Sequence, residues 1–208
     1  MATENRTLMA QARESLKGHW GVAVGGNAIY MILMILFQSI PRVGWIGTLI
    51  IGGPYLLGYS IFFLSLSRKQ EPRLSHLFEG FYHFADALVA YLLMTLFIIL
   101  WTLLFIIPGV VASLSYSQTF FILADNRQLK GSEALRESRA MMKGNRWKLF
   151  CLCWRFFGWF LLGILSIGIG FLWIVPYLAT TLAHFYNDLK GETEPSFVPG
   201  PVPELIQI

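Results

Sequence analysis

Charge is scarce in this sequence. Of its 208 residues, 16 are Lys or Arg and 12 are Asp or Glu, so 13% are charged. A typical soluble domain carries about 25%, and a soluble chain of this length cannot cover its surface with so few. Cysteine is scarcer still, at two residues, which excludes a disulfide-built scaffold. Acidic residues are missing from the interior of every long apolar run, which argues against a proton relay of intramembrane carboxylates. Ser-His-Asp order, HExxH spacing and a P-loop are missing too, so no enzymatic chemistry is expected. Disorder is excluded from the other side. Hydrophobic residues make up 55% and mean hydropathy is +0.57, whereas disorder requires low hydrophobicity and high charge. What is left is an all-α integral membrane protein. The net charge of +4 does not point to nucleic acid, because the basic residues flank apolar runs, where membrane orientation accounts for them.

A membrane-spanning helix takes about 20 apolar residues. Residues 20–40 supply a first run, closed by Pro41, and 44–66 a second, closed by Ser67-Arg68-Lys69. Residues 87–124 are almost unbroken. As one helix they would reach about 57 Å, roughly twice the hydrocarbon thickness. The run must fold back, and Pro108-Gly109 is the predicted turn. The same arithmetic divides residues 149–186 at Ser166-Ile167-Gly168-Ile169-Gly170. Six transmembrane helices in three hairpins follow. Fourteen of the 16 basic residues fall in the N-terminal segment, two of the connections and the tail; Arg42 alone lies in the opposite turns, and Arg155 lies within a span. This asymmetry predicts that both termini are cytoplasmic. The first run reads as a retained anchor rather than a cleaved signal peptide, since 19 polar or amphipathic residues precede it and no small-x-small site follows.

The basic connections carry a helical period. Leu8, Met9, Ala12 and Leu16 share one stripe; so do Leu74, Leu77, Phe78 and Phe81, and so do Ala134, Leu135, Met141 and Met142 behind a Ser132 cap. Such short amphipathic helices are expected to lie in the membrane interface, apolar face down. Each leads through a glycine, Gly18, Gly80 or Gly144, into the next hairpin, and Pro54-Tyr55-Leu56 recurs as Pro176-Tyr177-Leu178. The pattern reads as three parallel repeats, at about 8–69, 70–126 and 127–190, within one domain covering 1–190. A proline-rich cytoplasmic tail, 191–208, is expected to be extended.

Three ordered signatures carry a family resemblance. The first is Phe105-Ile106-Ile107-Pro108-Gly109, followed by Tyr116-Ser117 and the run Phe120 to Asn126. The second is Glu133-Ala134-Leu135 with Ser138, Met141-Met142-Lys143-Gly144 and Lys148-Leu149-Phe150. The third is Gly168-Ile169-Gly170 with Leu172-Trp173, Pro176-Tyr177, Ala183, Phe185-Tyr186 and Asp188-Leu189. Over residues 10–190 the chain resembles the bacterial integral membrane family catalogued as domain of unknown function 975. That family is distantly similar to the membrane domain accompanying some glycerophosphodiester phosphodiesterases. The resemblance implies a multi-helix protein of a bacterial inner membrane. It implies no catalytic residue and no cofactor. Arg155 departs from it, since a neutral residue is expected there.

Arg155 is the most informative single residue, because a charge within a span is costly. It could pair with Asp86, Asp125 or Asp188, hold an anionic lipid headgroup, or snorkel to the interface. With Asn27 it could line a polar cavity, and Arg139, Arg146 and Lys148 extend a cationic collar suited to anionic lipid. Asn27, Gln38 and Gly25-Gly26 otherwise suit helix packing. Gly52-Gly53-Pro54 reads as a simple kink rather than a broken helix of the transporter kind, and Pro176 is a further candidate helix break or turn. His76, Glu79 and His83 share a helix face, which reads as the wet side rather than a metal site. Cys151 and Cys153 read as buried thiols. The expected function is a non-enzymatic envelope scaffold or accessory protein that organises lipid, a membrane-protein partner or a second copy of itself. The alternative is a small-solute transporter or channel.

Overall fold

The computed structural model describes residues 3–39, 44–70, 72–166 and 168–191, with the backbone alone at 33, 34, 37, 38 and 44–46. Pro41, Arg42, Ile167, the Gln38 side chain and the tail from residue 192 lie outside the described residues. Among those described, regular structure is helical throughout and no strand occurs. The helices are α1 (Asn5–Leu16), α2 (Trp20–Gln38), α3 (Gly44–Ser67), α4 (His76–Glu79), α5 (Phe84–Leu104), α6 (Ile106–Tyr116), α7 (Thr119–Asp125), α8 (Gly131–Met141), α9 (Arg146–Leu165) and α10 (Phe171–Lys190). A 3-10 turn, Gly80–His83, joins α4 to α5.

Four stretches are long and apolar enough to cross a membrane: Gly47–Ser67, His76–Leu104, Ile106–Asp125 and Arg146–Leu165. The described apolar part of α2, Trp20–Ile32, is shorter. Helix α3 is the hub. Its most apolar window is 72% buried, whereas that of His76–Leu104 is 11% buried. Leu57, Phe62, Phe63 and Leu66 of α3 pack with Phe120 to Leu123 of α7, Ala183 and Tyr186 of α10, and Leu16 of α1. Outward-facing apolar side chains concentrate on α5 and α9, including Leu96, Leu103, Trp154 and Leu165.

The fold-back between α5 and α6 occurs at Phe105, not at Pro108-Gly109. Phe105 is extended (φ −158°, ψ 147°), and its carbonyl accepts from the Gly109 N–H at 3.2 Å. Pro108 sits in the first turn of α6, where a missing N–H leaves no helical bond unmade. Gly109 marks a close crossing instead: a Cβ there would lie 2.8 Å from Thr102 Cα. Nor do Gly53-Pro54 and Pro176 break their helices, since α3 and α10 run through both prolines. Gly53 lets the α3 backbone approach α5, where a Cβ would sit 2.5 Å from the Ala87 carbonyl oxygen. The predicted break before α10 is present: Gly168 is left-handed (φ +85°), and the Gly170 N–H donates to Ser166 Oγ at 2.9 Å.

The amphipathic segments do not present their apolar faces outward as expected. Leu8, Ala12 and Leu16 of α1 are fully buried, as are Ala134 and nearly all of Leu135 in α8. These stripes cover the bundle, not lipid. Burying Leu8 and Leu16 stabilises by about 1.5–3 kcal/mol each relative to water. Only the 73–84 segment leaves large side chains exposed, among them Phe78, Phe81 and Tyr82. Helix α8 starts at Gly131, ahead of the expected Ser132 cap, and the Lys130 N–H donates to Glu133 Oε2 at 3.0 Å. Gly18 and Gly144 are both left-handed (φ +82° and +92°), but Gly80 is not. Gly80 is needed for close approach to α3 instead.

Candidate functional site

Helix ends carry the charges, and the fold brings several of these ends together. Asp125, closing α7, accepts from Arg68 Nη1 at 2.6 Å, from the Tyr186 hydroxyl at 3.0 Å and from Lys190 Nζ. It thereby ties α3, α7 and α10. Asp188 on α10 is held by Lys148 Nζ of α9 at 2.5 Å and by the backbone N–H of Thr3 at 3.1 Å. Lys148 also lies 5.3 Å from the Phe185 ring centroid. Glu79 pairs with Arg127 at 2.6 Å and with His76 at 3.7 Å. Asp86 accepts from the Gly131 N–H at 3.4 Å, seating the start of α8 on α5.

None of the three acids is therefore the partner of Arg155. Arg155 is exposed on α9, between the outward Trp154 and Trp159, and no ion pair reaches it among the described residues. Arg139 is exposed on α8, and Arg146 is half-buried. Asn27 is 1% exposed and donates to the Phe171 carbonyl at 3.4 Å, so it links α2 to α10. The structure does not bring Asn27 and Arg155 together into one described cavity. Cys151 is half-buried and Cys153 exposed, against the expectation of two buried thiols. Among the described residues, no group of three or more His, Cys, Asp or Glu is placed to hold a metal ion.

Hydroxyls within the apolar helices are mostly satisfied by their own helix. Ser113, Ser115, Thr180 and Thr181 each donate to a carbonyl three or four residues earlier. This back-bonding consumes the polar group without forming a pathway. Ser138 donates instead across to the Ser115 carbonyl at 2.9 Å, locking α8 on α6.

Two constellations were not legible in the sequence. Ser65 Oγ lies 3.4 Å from His76 Nδ1, and His76 Nε2 lies 3.7 Å from Glu79. The order suggests a nucleophile with a base. However, Ser65 already donates to the Phe62 carbonyl at 2.8 Å and is buried, so the contact ties α4 to α3. The second is a tyrosine stack. Tyr30 of α2 lies on Tyr55 of α3 at 3.7 Å between centroids, with Tyr59 5.8 Å from Tyr55. The hydroxyls of Tyr55 and Tyr59 are buried without a hydrogen-bond partner. Tyr55 lines an open-sided apolar groove with Ile29, Ile51, Leu77, Phe78 and Phe81. A sequence signal existed in Tyr55 and Tyr59 at i, i+4 on an apolar helix, but it is indistinguishable from ordinary core.

Burial alone would raise the Asp188 carboxyl. The Lys148 and Thr3 hydrogen bonds and the Lys148 charge outweigh it and hold the group below its ordinary value. A depressed carboxylate adds stability above the unfolded value, about 3.9, and that stability is lost as pH falls through the folded value. Thermal unfolding in detergent should therefore show a drop below about pH 4 that Asp188→Asn flattens. At neutral pH the variant should lose about 1.5–3 kcal/mol, the range for hydrogen bonds to charged groups.

No curated protein and no solved structure matches the chain significantly. A family pattern matches residues 1–115 and 103–193, which together take in all of the helical region described above. The chain belongs to the family described as protein of unknown function (DUF975).

Proposed function

We propose that the chain crosses a bacterial inner membrane six times, as three out-and-back helix pairs with both termini cytoplasmic. It acts there as a non-enzymatic scaffold or accessory protein that organises lipid or a partner protein. The pairing is supported by contacts of Tyr30 with Tyr55, Gly109 with Thr102, and Phe156 with Tyr177. The orientation rests on the 14 basic residues gathered on one side. The observation that carries the role is the uneven burial of the apolar helices. Those of α5 and α9 turn long apolar faces outward, while acids at the helix ends are bound to neighbouring cations or backbone. Such a molecule offers surface rather than a reaction centre. Asn27, bonded to Phe171 and buried, supports packing at the position where the transporter reading wants a polar cavity.

Two measurements test the reading. Reporter fusions at Arg136 and after residue 190 should report cytoplasm, and a fusion at Arg42 periplasm; a periplasmic Arg136 overturns the topology. Purified protein in liposomes should move no solute in a manner dependent on Arg155. Flux abolished by Arg155→Ala would replace the scaffold with a transporter.

A further inference from the structure

Arg155 is a cation that the fold leaves alone. It stands on α9 beyond Lys148 by seven residues, or about 10 Å, and Lys148 is itself engaged by Asp188 at 2.5 Å. The Arg155 side chain is exposed, and among the described residues no acid pairs with it. Helix α9 contains no Asp or Glu, and acids are missing from the interior of every apolar run, so a second copy of this chain offers no carboxylate at that depth. The surroundings are apolar and face outward. The rings of Trp147, Phe150, Trp154 and Phe157 stack in series along α9, the last pair 5.2 Å apart and 4° from parallel. Trp159, one turn beyond Arg155, is exposed as well. Between the ring ladder and Arg155 the helix surface is low. Positions three and four residues away share a helix face, and on the ladder side of Arg155 these are Gly158 and Cys151. Glycine inside a helix is costly, and no neighbour in the chain requires this one: a Cβ on Gly158 would meet nothing within 4 Å.

We infer that this face of α9 binds one anionic phospholipid of the cytoplasmic leaflet, with its phosphate on the Arg155 guanidinium and an acyl chain over Gly158. A charge within a span calls for a counter-ion. Here the missing partner is an anion with an apolar body, because the guanidinium stands among outward aromatic rings. The Arg stem is apolar and long enough to carry its head toward the headgroup layer, where Trp rings settle and anionic lipid concentrates on the cytoplasmic side. A zwitterionic lipid brings its own cation to a face that already carries one, so charge complementarity selects the anionic class. The inference rests on the membrane-spanning reading above and names the lipid class that such a scaffold would hold.

Native mass spectrometry of the full chain in mild detergent, titrated with phosphatidylglycerol or phosphatidylcholine, tests it. The first phosphatidylglycerol should bind about fivefold tighter than phosphatidylcholine, the worth of one basic residue against anionic lipid. Arg155→Gln should weaken it about tenfold, as expected for hydrogen bonds to a charged group, and abolish the preference between the lipids. Gly158→Leu, which fills the low surface and keeps the cation, should weaken it about threefold, the worth of displacing one methylene. Lys17→Gln, which removes an exposed cation of the α1 end, should leave it unchanged. Positions 155 and 158 are both exposed, and an unchanged or raised unfolding temperature separates lost binding from lost fold. Wild-type affinity in Arg155→Gln or Gly158→Leu, equal losses in Lys17→Gln and Arg155→Gln, or equal affinity of the wild type for the two lipids overturns the site. Alkaline extraction separates the two levels. A chain that leaves the membrane sinks the six-span reading, whereas one that stays but shows no Arg155-dependent phosphatidylglycerol binding sinks this site alone.

Discussion

Gly80→Ala should be among the most destabilising single methyl groups that can be added to this protein. Gly80 faces the backbone of α3, and a Cβ there would fall inside the Pro54 carbonyl oxygen and 2.6 Å from the Gly58 nitrogen. Gly58 returns the contact: its Cβ would overlap the Leu77 carbonyl, with the carbonyl carbon 2.6 Å away. Both obstacles are backbone, so no rotamer change relieves them. The 76–83 segment must move off α3, taking the buried Leu77 with it. Overpacking costs about 1–3 kcal/mol and occasionally more, and this site belongs at the upper end, near 3 kcal/mol. Thermal unfolding in detergent reads the loss. Gly58→Ala should cost a similar amount, and the double variant less than the sum, because one displacement relieves both clashes. Gly25→Ala is the control. Nothing lies within 4 Å of its added Cβ, so the change should be neutral or stabilising by about 0.4–1 kcal/mol. Equal losses at Gly25 and Gly80 would show that the segment does not sit on α3.

The second large effect belongs to Asp125→Asn. This change removes the anion between Arg68 and Lys190 while keeping the shape and an acceptor for Tyr186. The Asp125 side chain is 9% exposed, Arg68 28% and Lys190 40%. Removing one partner of a fully buried pair costs about 3–5 kcal/mol, and water screens an exposed one to about 1 kcal/mol or less. With one partner deep and two partly wet, a loss of about 2–3 kcal/mol is expected. A double-mutant cycle with Arg68→Gln should return a coupling of about 1–2 kcal/mol, shrinking as salt is raised. Zero coupling at low salt would mean that α7 and α3 are joined by apolar packing alone.

The contrast between these residues explains what was readable beforehand. Helices α2, α3, α5, α9 and α10 begin or end close to where apolar content, charge and glycine place them, because the cost of burying unpaired backbone in lipid is paid locally by each helix. The 166–170 break was legible for the same local reason. The α5–α6 turn was misplaced by three residues. Proline marks the first turn of a helix as readily as its end, and only the extended Phe105 decides between them. Pro54 and Pro176 likewise do not end their helices, since α3 and α10 run through both. Arg155 drew attention as the charge inside a run, yet Asp125 and Asp188 found closer cations on other segments, and Asp86 the backbone N–H of Gly131.

Composition and periodicity alone determined that this is an all-helical protein with membrane-length apolar runs and amphipathic, basic connections. Those properties follow from single segments meeting a solvent. Which faces are covered was decided only in three dimensions. The stripes of α1 and α8 could equally meet lipid or protein, and they meet protein because α10 and α5 offer complementary surfaces there. Gly53, Gly58, Gly80 and Gly131 look alike in the sequence, but each is required by a backbone from a distant segment. Close approach is a property of pairs of segments, and no single segment encodes its partner.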